Sequence, residues 1–208
     1  MTVLAGLVGY LIGAIPTAGL IARLRGIDLR TEGSGNPGTK NALTTGGPVL
    51  AAAVLIVEAA KGYLAVRTGF QLAGDTGAMT AGVGAVAGNV FNFWYRFEGG
   101  KGLGISLGVL AAAWPTVLPV LLVVIVLAAL MTRSAGLAAL ATMAALIICA
   151  LVWPEQNWST SGYVETPQQI LALSVGMTVL MMGKHIRDSP LNRAWRSAHQ
   201  TQASPGRH

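Results

Sequence analysis

The chain has 208 residues, of which 53% are hydrophobic and only 11% are charged, and its mean hydropathy is +0.59. Soluble domains carry about 25% charged residues, so this composition excludes an ordinary soluble protein and predicts an integral membrane protein. The formal net charge of +6 and the pI near 10.0 could suggest a nucleic-acid partner. The positions of the basic residues along the chain argue against one.

Seven apolar runs follow one another and predict an all-α, polytopic membrane protein with seven transmembrane helices, within a range of five to seven. The fourth and fifth runs are short against the ~20 residues that a span needs, and they meet at Trp114-Pro115. We interpret this junction as a tight hairpin rather than a kink in one helix, because the charge pattern requires two crossings. The runs are 3–24, 48–66, 77–94, 103–114, 116–131, 135–153 and 168–183.

Twelve of the fourteen basic residues lie in four patches between or after these runs. With seven crossings all four patches fall on one side, whereas the opposite loops hold Asp75, Glu155 and Glu165 with only Arg67 in opposition. The positive-inside rule then predicts an N-terminus outside and a cytoplasmic C-terminus. The patches are Arg23, Arg25, Arg30 and Lys40; Arg96 and Lys101; Arg133; and Lys184, Arg187, Arg193, Arg196 and Arg207.

The chain reads as a single domain over residues 1–196, followed by a disordered tail over residues 197–208. The single cysteine, Cys149, lies within an apolar run, so the sequence predicts no disulfide framework and no Cys-based metal site. No His, Asp and Glu cluster has the spacing of metal ligands, because His199 and His208 lie in the tail. We therefore predict no metal or other cofactor.

A nine-residue polar segment, GSGNPGTKN at 33–41, follows the first apolar run. Its glycines let the backbone approach a ligand closely, and exposed N–H groups with Ser, Asn and Lys side chains suit an oxyanion such as phosphate. A flexible turn is the alternative. The G-x-G-x-x-G pattern at 33–38 mimics a dinucleotide fingerprint, but that motif needs a preceding strand, and a membrane helix precedes this one. The candidates here are Ser34, Gly35, Asn36, Gly38, Lys40 and Asn41.

A second glycine-rich segment, FEGGKG at 97–102, opens the fourth apolar run. Its lysine stands where a helix is predicted to begin, beside free backbone N–H groups and the positive end of the helix dipole. It is not a Walker A loop, because Tyr95 stands where that motif has Gly, and Gly102 where it has Ser or Thr. A tight turn with a snorkelling lysine is the alternative. The candidates are Gly99, Gly100, Lys101 and Gly102.

Four further polar residues lie in or beside the apolar runs. Glu58 and Lys61 are spaced i,i+3 within the second run, where ionisable residues are either functional or a structural ion pair. Ser134 could add a hydroxyl to an anion site on the basic side. His185 closes the last run, where an interfacial polar role is commoner than a catalytic one.

These segments, in this order along nearly the whole chain, resemble the bacterial acyl-phosphate:glycerol-3-phosphate acyltransferase family, the PlsY type. The first family motif looks like 30–41 and continues to 46–47, and the second is similar to Gly88-Asn89 through 97–102. Glu58 with Lys61-Gly62 resembles a family Asp-x-x-Lys-Gly. The resemblance implies seven membrane helices, with the motif loops on the cytoplasmic face of a bacterial inner membrane.

The resemblance also implies an activity, the transfer of a fatty acyl group from acyl phosphate to glycerol 3-phosphate, which gives lysophosphatidic acid for phospholipid synthesis. Phosphate is a good leaving group, so the site must mainly seat two phosphates, orient the acceptor hydroxyl and stabilise the carbonyl oxyanion. The expected partners are these two small molecules and membrane lipids. By resemblance, the residues near the phosphates are Ser34, Gly35, Asn36, Asn41, Lys101 and Ser134, with His185 as a further polar partner.

The chain departs from the family pattern at three charge-handling positions. The arginine of the first motif falls on Thr44, and the Gly-His of the second becomes Gly88-Asn89. The third motif, His-x-x-Asn-Ile-x-Arg-Leu, aligned on Leu191-x-Arg193, puts its His on Arg187 and its Asn on Pro190. Threonine cannot replace a bidentate arginine clamp, but Lys40, where the family usually has Thr, could restore the charge.

Three other functions stay open at this point. The chain could be a divergent member that acts on another phosphorylated or lipid-linked acceptor, or a non-catalytic subunit that binds anionic lipid. A transporter would want ionisable residues at the midplane and an internal repeat, and only Glu58 and Lys61 meet the first condition.

Overall fold

The computed structural model describes residues 1–156, 159–187, 189–190 and 192. The predicted tail 197–208, the end of the predicted domain, and the basic residues Arg193, Arg196 and Arg207 lie outside the described residues. All regular structure in the described part of the chain is helical, which confirms the all-α prediction. The helices are α1 (Thr2–Ala14), α2 (Thr17–Arg23), α3 (Thr39–Val90), α4 (Leu103–Ala113), α5 (Leu118–Thr132), α6 (Ala135–Val152) and α7 (Pro167–Arg187), with 3₁₀ turns at Phe93–Tyr95, Pro115–Val117 and Trp153–Gln156.

Helix length and composition support several membrane crossings but do not confirm the predicted number of seven. Within the described residues, five stretches are long and apolar enough to cross a membrane. The second and third predicted spans both fall within one of these stretches, and α4 is short, with 11 residues. The five stretches are Thr2–Arg23, Thr39–Tyr95, Pro115–Thr132, Ala135–Gln156 and Pro167–Arg187.

The long helix α3 is broken twice. Gly47 has φ 79°, and Pro48, which lacks an N–H group, follows it. At the second break Ala73 and Gly74 leave the helical region. Gly69 and Gly77 then lie face to face, so close that a Cβ atom on either would overlap the carbonyl oxygen of the other. Segments 48–72 and 75–90 of α3 therefore fold back on each other as an antiparallel pair.

The chain also reverses between α4 and α5. Trp114 is buried and has non-helical dihedrals (φ −153°, ψ 67°). Leu103 at the start of α4 and Ile125 near the middle of α5 line the same cavity, which one continuous helix could not achieve at 1.5 Å per residue. The junction at Trp114-Pro115 is thus a turn, as the charge pattern predicts.

Small residues bring α1 into close contact with segment 75–90. Without a hydrophobic driving force in lipid, membrane helices rely on such close packing. Contacts advance in the same direction along both partners, so α1 and this segment run parallel. The closest pairs are Gly9 with Ala81, Gly84 with Gly6, Gly13 with Ala85 and Gly88 with Tyr10.

The connections gather at two ends of the helix bundle. The loop end consists of residues 15–38, residues 91–102 and the last turn of α7, which Arg30–Glu98 and Lys184–Gly99 contacts join. The far end consists of the bend at 73–74, residues 112–117 and residues 159–166, where the Tyr163 N–H group donates to the Ala112 carbonyl at 2.9 Å. Both glycine-rich segments that the sequence singled out lie at the loop end.

Candidate active site

The first glycine-rich loop is shaped by Asn41, which is buried at the start of α3. Its side-chain oxygen accepts the Ser34 N–H group at 2.8 Å, and its amide nitrogen donates to the Leu29 and Glu32 carbonyls, both at 3.0 Å. The loop needs positive φ angles at Gly33 and Gly35, and glycine adopts these without strain. Asn41 therefore has a structural role in this loop, while its predicted contact with substrate stays a prediction.

The same loop ends at the N-terminus of α3. Gly38 precedes the helix with an extended backbone, and no side chain caps it. The first N–H groups of a helix have no partner within it, and together with the helix dipole they favour an anion. Ser34 and Lys40 are exposed on this loop, and Asn36 is half-buried, with its amide packed against Gly38. The geometry thus suits the phosphate seat predicted for these residues.

The second glycine-rich loop packs against the first. The Gly99 and Gly100 N–H groups donate to the Val90 and Asn89 carbonyls at 3.1 and 2.9 Å. A Cβ atom on Gly100 would lie 3.6 Å from the Pro37 carbonyl oxygen, so the two loops are direct neighbours.

Arg30 adds a second link between the loops. Its guanidinium donates to the Glu98 carbonyl at 2.8 Å and lies 5.0 Å from the centre of the Tyr95 ring.

The last turn of α7 holds the second loop from the other side. The Lys184 ammonium donates to the Gly99 carbonyl at 2.6 Å and to the Val90 carbonyl at 2.9 Å. His185 is buried, and its Nε2 lies 3.2 Å from the Lys101 carbonyl oxygen. The structure therefore brings the predicted residues His185 and Lys101 together.

The start of α4 follows directly on the predicted lysine. Gly102 has φ 86°, and α4 begins at Leu103, so Lys101 precedes a helix N-terminus as the sequence predicts. A Cβ atom on Gly102 would come within 2.9 Å of Met181. Glycine is thus required here both for its backbone angle and for the close approach of α7.

The family of this chain follows from comparison with known proteins. A sequence model of the family described as glycerol-3-phosphate acyltransferase matches residues 3–191. The chain belongs to this family. It is 41% identical over 188 residues to a glycerol-3-phosphate acyltransferase of Brucella anthropi, with 89% of this chain and 87% of that one covered. It is 37% identical over 183 residues to one of Agrobacterium fabrum, with 88% and 83% covered.

A solved structure gives the same result. The chain is similar to the crystal structure of PlsY, an integral membrane glycerol 3-phosphate acyltransferase, in its glycerol 3-phosphate form, with a TM-score of 0.77 and 25% sequence identity. The match covers 94% of this chain and 92% of that one. The resemblance predicted from the motifs is thus confirmed, and so is the integral membrane character of the protein.

For this glycerol-3-phosphate acyltransferase family member, the structure locates the departures from the family motifs. Thr44 is exposed one turn into α3, and its hydroxyl donates to the Asn41 carbonyl at 3.0 Å. Asn89 lies beneath the second loop, with its side-chain oxygen 2.9 Å from the position of a Cβ atom on Gly100. Arg187 and Pro190 are exposed, whereas the buried His185 makes the contact with the second loop. Leu191 and Arg193 lie outside the described residues.

Ser134 is the one predicted site residue that the hydrogen bonds do not connect to the two loops. Its hydroxyl accepts the Leu137 N–H group at 3.4 Å and so caps α6. Its carbonyl accepts a hydrogen bond from the Thr132 hydroxyl. The structure gives Ser134 a capping role, and its predicted contact with substrate stays a prediction.

An apolar cavity of about 300 Å³ lies between α4, α5, α6 and α7, and sequence reasoning missed it. Its wall includes Thr39 at the N-terminus of α3 and Leu103 at the start of α4, so it adjoins both loops. Leu121, Met143 and Met177 line its deeper part. Nothing in the sequence separates these residues from other apolar helix positions, because a cavity depends on how the helices are spaced.

Sequence reasoning also missed Lys184 as a site residue, because its charge was used only to predict the orientation of the helices in the membrane. No group of three His, Cys, Asp or Glu side chains within the described residues is arranged to hold a metal ion.

Proposed function

We propose that the protein transfers a fatty acyl group from acyl phosphate to glycerol 3-phosphate, giving lysophosphatidic acid and inorganic phosphate. The observation that carries this proposal is the junction of two phosphate-suited loops with the mouth of an apolar cavity. A polar seat for phosphates beside an apolar chamber fits an acyl phosphate, which has one phosphate and one alkyl chain. The relatives and PlsY are named glycerol-3-phosphate acyltransferases, which supports the acceptor and the acyl transfer, and the acyl phosphate donor is part of the proposal.

The chemistry asks for positioning rather than for a covalent intermediate. The acceptor hydroxyl attacks the acyl carbonyl, a new C–O ester bond forms, and the bond from the carbonyl carbon to the phosphate oxygen breaks. The hydroxyl proton leaves with the departing phosphate or to solvent. Lys101, the N–H groups at the start of α3 and the Ser34 hydroxyl would seat the phosphates and stabilise the oxyanion.

The acyl chain would enter the apolar cavity. Each methylene removed from water contributes about 0.8 kcal/mol, so part of the donor's binding free energy would come from Leu121, Met143 and their neighbours. The hydroxyl of Ser106, which lines the cavity near the loops, is already hydrogen-bonded, because it donates to the Met181 sulfur at 3.2 Å. The cavity thus offers the chain an apolar wall with few polar contacts.

The orientation in the membrane forms part of the same proposal. We place the loop end on the cytoplasmic side of a bacterial inner membrane, where glycerol 3-phosphate and the phosphate group of the donor would be available, with seven crossings and the N-terminus outside. The basic patches at residues 23–40, 96–101 and 184–187 support this, because all three lie at the loop end.

Lys101→Ala in purified protein reconstituted in lipid nanodiscs tests the function. We expect wild-type turnover of acyl phosphate with glycerol 3-phosphate, and a drop in kcat of about 100- to 1,000-fold in the variant, the size of losing one oxyanion-stabilising donor. Arg67→Ala is the matched control, because Arg67 is an exposed basic residue away from the loop end. Its kcat should equal that of the wild type.

Two rival functions would show in the same assay. Wild-type protein that binds glycerol 3-phosphate but does not acylate it would contradict the proposal. That outcome would favour another acceptor, or a non-catalytic subunit that binds anionic lipid.

A further inference from the structure

Two opposite charges are buried within the helix bundle. The Lys61 ammonium lies 3.0 Å from the Glu58 carboxylate, and both side chains are 7% exposed. Charged groups inside a membrane protein are costly, and removing one partner leaves the other unpaired. A buried ion pair adds little net stability, but its hydrogen bonds can fix one arrangement of the surrounding elements.

Lys61 binds the carbonyl groups at the C-terminal end of α1. Besides the bond to Glu58, its ammonium donates to the Gly13 carbonyl at 3.2 Å and to the Ile15 carbonyl at 2.7 Å. All three of its protons are therefore used. Pro16 has no N–H group to continue the hydrogen bonding of α1. Lys61 thus caps the helix with a positive charge, which is favourable at a C-terminus.

Glu58 does more than neutralise this lysine. Its Oε1 also accepts the Thr17 hydroxyl at 2.6 Å, and its Oε2 accepts the Asn89 side-chain amide at 2.7 Å. The second oxygen is not needed for pairing with Lys61. Its contact reaches from segment 48–72 of α3 across to the end of segment 75–90.

Asn89 in turn supports the second loop. Its backbone carbonyl accepts the Gly100 N–H group at 2.9 Å. A Cβ atom on Gly99 would overlap the same carbonyl, so the loop rests directly on this residue. Displacing Asn89 must therefore displace the turn that carries Lys101.

We propose that Glu58 is a positioning residue that acts through Asn89 to set the Gly99-Gly100-Lys101 turn against the first loop. The inference rests on the proposed function, since it assigns the purpose of this turn to seating phosphate. It explains why the acidic partner of Lys61 is also the hydrogen-bond partner of Asn89. The same carboxylate also bonds Thr17 at the start of α2, so it links Asn89, which supports the second loop, to α2 as well as to α3.

The sharpest test shortens one of the two contacting side chains by a methylene group and lengthens the other by the same amount. Glu58→Asp shortens one side chain, Asn89→Gln lengthens the other, and the double variant keeps both functional groups and the total chain length. We expect each single variant to lower kcat by about 10- to 100-fold, as small misplacements of catalytic groups do. The double variant should recover at least about tenfold over the weaker single one, as residues in direct contact couple.

Asn89→Ala provides a second route that leaves Lys61 paired. We expect its kcat to fall while the melting temperature changes by only a few degrees. Gln169→Ala is the control, because it removes an interhelical hydrogen bond to the Thr76 hydroxyl, 2.8 Å long, away from the loop end. That control should keep the wild-type kcat.

Two results would overturn the inference. One is a kcat for Asn89→Ala within twofold of the wild type, which would leave Glu58 as the counter-ion of Lys61 only. The other is a double variant whose loss equals the product of the two single losses. Should wild-type protein show no turnover, the same cycle is measured as the Kd of glycerol 3-phosphate, so the two proposals fail separately.

Discussion

Helix α4, which ends at the far end, and helix α1, which ends at the loop end, complete their last turns in different ways. At the far end, backbone N–H groups of Tyr163 and Val164 donate to the last carbonyls of α4, at 2.9 and 3.2 Å. At the loop end, the Gly13, Ala14 and Ile15 carbonyls at the end of α1 accept hydrogen bonds from the side chains of Lys61 and Asn92. Segment 75–90 ends there on backbone donors, as α4 does, those of Gly99 and Gly100. A backbone cap satisfies the fold without any buried charge. The charged cap of α1 brings with it the Glu58 carboxylate, which also contacts Asn89 beneath the second loop.

The side-chain contacts at the two ends differ as well, apolar at the far end and charged at the loop end. At the far end, Trp114 and Trp153 pack edge to face with ring centres 5.1 Å apart, a contact that depends on apolar burial. At the loop end, the guanidinium of Arg30 and the ammonium of Lys184 bond to backbone carbonyls. Charged donors fix a glycine-rich backbone that has few side chains of its own to pack. We infer that the charged contacts at the loop end hold the glycine-rich loops in place, whereas the apolar contacts at the far end stabilise the fold.

The strongest test of this difference compares two glycines that both face a carbonyl oxygen. A Cβ atom on Gly99 would overlap the Asn89 carbonyl, and one on Gly162 would overlap the Ala113 carbonyl. We expect Gly99→Ala to lower kcat by about 100-fold or more, because the turn before Lys101 must shift. Gly162→Ala should lower the melting temperature and leave kcat near the wild-type value.

Gly183→Ala is the control for both variants, because a Cβ atom there meets nothing within 4 Å. Turnover and thermal unfolding of the three variants would be measured side by side. Equal losses of kcat in Gly99→Ala and Gly162→Ala would contradict the division between the ends.

A smaller loss is expected on removing the charge that fixes the second loop from α7. In Lys184→Met the Gly99 carbonyl loses its ammonium donor and the Val90 carbonyl keeps only the Gly99 N–H group, while the methionine keeps most of the side-chain volume. We expect kcat to fall by about tenfold, the equivalent of about 1.4 kcal/mol for a hydrogen bond to a charged group. Steady-state kinetics on reconstituted protein give the measurement. Unchanged kcat and KM would show that the loop holds its shape without Lys184.

The sequence was enough to predict the family, the helical class and the two glycine-rich loops, because local patterns carry these features. Gly33, Gly35 and Gly102 are read as loop glycines from their neighbours alone, and all three have positive φ. What could not be predicted depends on residues far apart in the chain. The contact of Glu58 with Asn89 joins residues 31 positions apart. The reversal between runs 48–66 and 77–94 was predicted, but which side chains meet across it depends on how the two segments pack.

Asn41 shows the same limit within a single motif. The sequence marked the residue as a candidate for substrate contact, but polar residue types alone do not distinguish a side chain that binds ligand from one that shapes the loop. Only the three hydrogen bonds of its amide reveal the second role. Ser134 and its N-capping hydroxyl are a similar case.

The smallest effect is expected at Lys40, which lies exposed on the first turn of α3. Its ammonium would add a charge beside the predicted phosphate seat, where Thr44 cannot act as an arginine would. We expect Lys40→Thr to raise the KM for glycerol 3-phosphate by about threefold to fivefold with kcat unchanged, since exposed charge pairs contribute about 1 kcal/mol or less. The difference should shrink as ionic strength rises, because salt screens exposed charges. An unchanged KM at low salt would show that Lys40 does not contact glycerol 3-phosphate. The charge that the proposed phosphate seat requires would then come from Lys101.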